Sequence, residues 1–266
     1  MGIMLMGLAV TATSGMFLAA KTQMKMQQRQ IETTQAARAA VDMIVRDVRL
    51  SGACLPPTGE FTALAGVDTD ETDTLITRTG LTRPNLSCVR SAVPTGAAVN
   101  QNESAVPVES ADGFAAGMRA YIRHPDGRGE FFDVTAVNSP TELGKSQLLS
   151  RDYPASSGVY AVDERRFSIE TWWTAHGPEP QLLLQVGANL PQPLAGGIEK
   201  LDVHYQLRRN CPPCDVVALP SSSEEWAVVD ALHVALTARS ELPDTKGNYF
   251  RRTIAVNVAP RNLLAR

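Results

Sequence analysis

The chain has 266 residues, 44% hydrophobic and 20% charged, with a formal net charge of -3. That balance excludes a disordered chain, and its scattered Lys and Arg make no basic field for nucleic acid. Pairs such as Arg208-Arg209 and Arg251-Arg252 read as a solvated surface.

The opening stretch, MGIMLMGLAVTATSGMFLAA, carries no charge and as a helix would nearly cross a hydrocarbon core of about 30 Å. Phe17-Leu18-Ala19-Ala20 ends in small residues, as a signal-peptide cleavage site would, but no Lys or Arg precedes the apolar run. Lys21 and Lys25 follow it, and a literal charge rule would then keep the remainder in the cytoplasm. After Ala20 no Gly or Pro occurs before Gly52, so one helix is predicted from near Met1 to Leu50, roughly 75 Å long. Its second half places Met24, Ile31, Val41, Val45 and Val48 on one stripe, with Arg29, Glu32, Asp42, Arg46 and Arg49 mostly outside it. That stripe is expected to lie on a sheet. A membrane helix followed by a coiled-coil stalk is the alternative, with only about four heptads to build it.

From Cys54 onward the pattern changes to strands and turns. Leu201, Val203, Tyr205 and Leu207 alternate with polar residues, as do Leu232, Val234, Leu236 and Ala238, then Ile254, Val256 and Val258. Earlier strands are expected over Thr74 to Thr79, Ala120 to Arg123, Phe131 to Val137, Val159 to Val162 and Arg166 to Trp173, with a turn at His124-Pro125-Asp126-Gly127. Ser91 to Gly113 and Leu219 to Glu225 read as loops, and no fixed-period repeat appears. The fold class is α+β: a long N-terminal helix packed on an antiparallel sheet. The division is 1–20 as an apolar half-helix, 21–52 as an amphipathic half packing on the head, and 53–266 as a β-rich head.

The runs GIMLMGLAVTATSGMFLAAKTQ and ARAAVDMIVRDVRLSGAC resemble the N-terminal region of PilW-type minor pilins of the type IV pilus. GVYAVDERRFSIETWW, LAGGIEKLDVHYQL, VVDALHVALTARS, FRRTIAVNVAPRNL and the near-terminal Arg261-Asn262 follow in that family's order, while the loops between Cys54 and Gly117 match poorly. The resemblance implies a type IV pilin-like fold. It also implies a basic leader and roughly ten mature residues before Met1, including a Glu that no residue here replaces, and that leader would put the head in the periplasm.

On this resemblance the assembly helix uses Ile3, Met4, Leu5, Leu8, Val10, Met16, Phe17 and Leu18. The implied partners are other minor pilins, the major pilin and a tip adhesin of the PilY family. The protein would sit in the inner membrane as a single pass before assembly and at the pilus tip afterwards, serving adhesion and twitching motility. No cofactor and no catalysis are expected.

Cys54, Cys88, Cys211 and Cys214 are even in number and suit two disulfides in an oxidising periplasm. The expected pairs are Cys54 with Cys88 and Cys211 with Cys214, although other connectivities are open to the sequence. The first would close a long loop and contribute about 3 to 4 kcal/mol in the chain-entropy model. Cys211-Pro212-Pro213-Cys214 also has the spacing of a thiol-disulfide site, but it follows a strand and precedes Val216-Val217, away from a helix N-terminus that would lower a thiol pKa. A four-Cys zinc site lacks finger spacing in its first pair.

His124, His176, His204 and His233 are scattered and read as solvated. Asp68, Asp70 and Asp73 could gather around Ca²⁺ but lack the full loop pattern and its bidentate Glu, so a solvated turn is expected. Trp172 and Trp173 should face opposite sides of a strand, leaving one as a plausible anchor. The expected function is assembly by association. A J-type pseudopilin of type II secretion and a membrane-tethered periplasmic thiol-disulfide protein are the alternatives.

Overall fold

A computed structural model describes residues 2–56, 61–85, 87–174, 177–209, 211–244 and 247–262; in its first helix the side chains of 2–16, 18, 19 and 22 fall outside the described set. Helix α1 runs unbroken over Gly2–Leu50. Ten antiparallel strands follow in one sheet: β1 (Leu64–Val67), β2 (Thr74–Gly80), β3 (Arg90–Ala92), β4 (Ala105–Pro107), β5 (Arg119–Arg123), β6 (Gly129–Ser139), β7 (Glu142–Lys145), β8 (Gly158–Thr174), β9 (Gly177–Val186) and β10 (Gln192–Gly196). A second, four-stranded sheet holds β11 (Ile198–Leu207), β12 (Asp215–Val217), β13 (Val229–Arg239) and β14 (Arg251–Val258) in the order β12-β11-β13-β14, with a short helix α2 (Ser223–Ala227) before β13.

The second sheet forms where alternation places it. Its buried face is built in cross-strand rows, Leu201–Leu236–Ile254, Val203–Val234–Val256 and Tyr205–Leu232–Val258, each row joining β11, β13 and β14. Such directly opposed apolar pairs are the unit from which a sheet gains its packing energy. Helix α1 lies across β13 and β14 and also touches β10 and β2.

The helix uses only part of the expected stripe, burying Val41 and Val48. Met24 and Ile31 are exposed, while the buried positions are Thr33, Ala37, Ala40, Val41, Ile44, Asp47 and Val48. Their spacing of three and four is that of one helix face, as expected, but the face begins at Thr33. Two alanines at its centre let the helix backbone approach the sheet closely. Val45 is half-buried beside them. These residues join buried side chains from both sheets, among them Leu64, Leu75, Phe167 and Leu182, in one core.

The end of α1 is fixed by several contacts. Gly52 takes φ 83°, the left-handed cap that glycine adopts without penalty, and its N–H donates to the Arg78 carbonyl of β2 at 2.9 Å. Asn262 Nδ2 donates to the carbonyls of Leu50 at 3.3 Å and Arg49 at 3.4 Å, two of the acceptors a helix end leaves free. A Cβ at Gly80 would come within 2.6 Å of the Cys54 Cβ, so only glycine lets β2 pass this turn.

Strand β8 is the spine of the first sheet. It pairs with β3 and β5 near its start, with β2 in its middle and with β9 along its second half. The sequence suggests two strands there, Val159 to Val162 and Arg166 to Trp173, because Asp163-Glu164-Arg165 looks like an interruption. Those three residues are instead an ionic cluster inside a continuous strand. Strand β9 escapes sequence reading because Pro178 and Pro180 argue against a strand; both lie outside its paired register with β10, on an edge that tolerates proline.

Ser91 to Gly113, expected as a loop, covers the far face of the first sheet. It carries β3's end and β4, and Val93, Val99, Val106, Val108 and Ala111 are buried with Ala120, Ile122, Phe132 and Val159 in a second core. The stretch Leu219 to Glu225, also expected as a loop, runs into α2, whose Ser222 cap accepts the Glu225 N–H at 3.2 Å.

Truncating Ile44, fully buried between helix and sheets, to alanine should cost about 2–5 kcal/mol in denaturant unfolding of the full chain. The same change at exposed Ile31 should stay within about 0.5 kcal/mol. Equal losses at both positions would mean that the helix packs through a different face.

Candidate functional site

The described residues present an exposed length of helix standing on a seam that is both apolar and ionic. Apolar packing over Ala37 to Val48 sets the depth of the seam, and one ionic contact crosses it. Asp47 is 6% exposed and accepts from Arg165 Nη1 of β8 at 3.2 Å, while Arg165 Nη2 reaches Asp163 at 3.0 Å. Burial pushes the Asp47 carboxyl above its ordinary value against the opposing pull of Arg165. Burial would lower Arg165, but Asp163 and Asp47 together hold its guanidinium above the usual range.

The next residue of the spine points into a second cluster. Glu164 accepts from Arg78 Nε at 2.6 Å and lies 3.6 Å from Arg119 Nε, and the Arg78 guanidinium stacks 4.7 Å from the Phe131 ring centroid. Burial lowers Arg78, with Glu164 opposing. These charges fix the position of β8 against β2, β5 and α1. Sequence reasoning missed Asp47, although an aspartate between Ile44 and Val48 on an apolar stripe was the available signal.

Asp73 was expected in a solvated turn with Asp68 and Asp70. The latter two are exposed, but Asp73 is 4% exposed and ties the sheets together. Its Oδ2 accepts the Val203 N–H at 2.7 Å and its Oδ1 the Thr69 N–H at 3.2 Å, while Thr72 Oγ1 accepts the Leu201 N–H at 3.1 Å. Burial raises its pKa, with those two backbone donors opposing. The 69–73 turn therefore closes the part of the β11 edge that β12 leaves open. Among the described residues no group of three or more His, Cys, Asp or Glu could hold a metal ion.

Cys54 is joined to Cys88 with Cα atoms 5.4 Å apart, tying the end of α1 to the segment before β3. Cys211 is joined to Cys214, spanning the turn between β11 and β12. Among the described residues, two of the three histidines are cross-strand neighbours and the third stands apart in a turn. His204 faces His233 across β11 and β13, His233 Nδ1 lies 2.6 Å from Asn257 Oδ1, His124 Nδ1 lies 2.8 Å from Asp126 in its turn, and His176 is outside the described residues. Trp172 and Trp173 are both exposed, at 42% and 83%.

Of the expected assembly residues, Ile3, Met4, Leu5, Leu8, Val10, Met16 and Leu18 lie on the helical backbone of α1, with side chains outside the described set. Phe17 is 71% exposed. Met24, Met26 and Ile31 continue as exposed apolar groups on the same rod, which the head holds there by Arg29 Nη1 donating to the Pro243 carbonyl at 3.4 Å. Among the described residues no helix is long and apolar enough to cross a membrane.

Replacing Arg165 by methionine keeps bulk at the seam and removes the cation paired with Asp47. Because Arg165 is 32% exposed and water reaches the pair, the cost at pH 7 should be about 1–3 kcal/mol. Asp47 would then hold its proton further above the ordinary carboxylate value in the folded state than in the unfolded one, so stability falls as pH rises through that window. The melting deficit relative to the parent should shrink as pH is lowered toward about 5. A deficit independent of pH would assign the loss to packing. Asp47→Asn should cost less, since Arg165 keeps Asp163.

No protein-family model and no curated protein matches the chain. Among solved structures it is similar to a type IV-like pilin from Thermus thermophilus, at 14% identity, covering 86% of this chain and 97% of that chain with a TM-score of 0.39.

Proposed function

We propose that this protein is a pilin-like assembly subunit, a minor pilin of the PilW type. The observation that carries the reading is the unequal use of one continuous helix. From Thr33 to Val48 a face of α1 is buried in the head, whereas Phe17, Met24, Met26 and Ile31 remain exposed on the same rod. A rigid helix anchored at one end delivers its other end to lipid or to neighbouring helices without any hinge.

In this reading the uncharged 1–20 half is held in the inner membrane, with the head in the periplasm, until the helix transfers into the filament core. The driving force is apolar burial, at about 25 cal/mol per Å². Head surfaces then choose the neighbours, which would be other minor pilins, the major pilin and a tip adhesin. Both disulfides suit the oxidising side of the membrane. The subunit would initiate or cap a type IV pilus by association alone.

Leu8→Asp tests this directly, because it places a charge in the half-helix that would enter the filament core. The variant should lose pilus assembly in cells while the full chain in detergent keeps the parent's melting temperature. Normal piliation in that variant would sink the reading.

A further inference from the structure

Strand edges are hazardous because their unpaired N–H and C=O groups recruit other chains, and this fold blunts nearly all of them. At the ends of the first sheet, β1 has four residues and β4 has three, ending in Pro107. Strand β10 contains Pro193 and a register shift beside it. In the second sheet β12 has three residues, and the rest of the β11 edge is occupied by Thr72 and Asp73.

Strand β14 is the exception. Among the described residues its eight residues pair only with β13. The Ser240 N–H donates to the Phe250 carbonyl, so in this antiparallel register the even-numbered residues bond to β13. The backbone groups of Arg251, Thr253, Ala255 and Asn257 therefore point outward. Among the described residues no backbone partner takes them.

The edge also borders a groove. Between α1 and β14 lies an open cavity of about 500 Å³ walled by Ile31, Thr34, Arg38, Phe250 and Arg252, and a neighbouring one reaches Ile254 and Ala255 at the rim. Ile31 and Phe250 supply exposed apolar walls, at 57% and 36% exposure. Arg38 and Arg252 both line it, one from the helix and one from the strand, and among the described residues neither has a carboxylate partner. Arg251, the neighbour of Arg252 on the strand, differs in being paired with Glu199.

We infer that the β14 edge is a strand-addition site for an extended, acidic segment of a partner protein. The segment would add antiparallel to β14, taking the free backbone groups of Thr253 and Ala255. Its apolar side chains would enter the groove toward Ile31 and Phe250, and its acidic ones would meet Arg38 and Arg252. Main-chain bonds supply affinity in this mode, and alternate side-chain pockets supply selection. The two unpaired guanidiniums make the selection one of charge. This binding requires only the edge and its groove, so its failure would leave the role proposed for α1 standing.

The test uses the full chain in detergent and a fluorescent peptide of about eight residues alternating valine with glutamate, long enough to span the edge. Anisotropy should show saturable binding that weakens with salt, and the matching valine–lysine peptide should bind at least about tenfold more weakly. Ala255→Pro removes an outward N–H from an edge that tolerates proline, and should reduce binding about tenfold with the melting temperature preserved. The double variant Arg38→Glu with Arg252→Glu should reverse the preference between the two peptides. The inference is overturned by absence of binding, by equal affinity for both peptides, or by binding that Ala255→Pro leaves unchanged. A dimer of the chain that Ala255→Pro dissolves would also overturn it, giving the edge to a second copy.

Discussion

The seam between the second half of α1 and the sheets is the contact on which the other features depend. Ala37, Ala40, Val41, Ile44 and Val48 close a core that neither sheet completes alone, since side chains of both sheets reach it. Without that helix face the apolar rows of the second sheet would meet water. Without the sheets, residues 2–50 would be a single uncovered rod. The helix is thus a core element of the head and, by continuity of its hydrogen bonds, the support for everything that projects beyond Thr33.

Polar groups give that apolar seam its register. Apolar packing is non-directional, so it sets depth without choosing one azimuth or one strand alignment. The Asp47–Arg165 pair and the Glu164 cluster supply direction where β8 exchanges partners, and Asp73 does so where the sheets meet. Each is buried or nearly so, and each carboxylate has a cation or backbone donors beside it, as burial of charge demands. Cys54–Cys88 and the Asn262 contacts hold the C-terminal end of the helix by covalent and hydrogen-bonded means.

The same construction divides the surface by use. The far face of the first sheet is closed by the 91–113 segment and its own core. Exposed apolar groups stand elsewhere too, at Trp173, Leu190 and Leu148, but between α1 and β14 Ile31 and Phe250 share one groove with Arg38 and Arg252. An association function and a strand-addition site both draw on this side. They use different groups, side chains of the helix in one case and backbone of the strand in the other.

Periodicity alone made the long helix and strands β11, β13 and β14 legible, because a continuous helix-forming stretch and strict alternation report faces that bury locally. It also showed that one helix face would pack on a sheet. Which face could not be read, since Met24 and Ile31 satisfy the same spacing as Ala37 and Ile44 and only the reach of the head decides where burial starts. Charged residues inside β8, prolines in β9 and small polar residues over 91–113 hide structure for a related reason. Their strand state depends on partners more than twenty residues away, such as Arg78 for Glu164 and Asp47 for Arg165. The open edge of β14 is likewise invisible in sequence, because a free edge is defined by the neighbour that the tertiary fold does not provide.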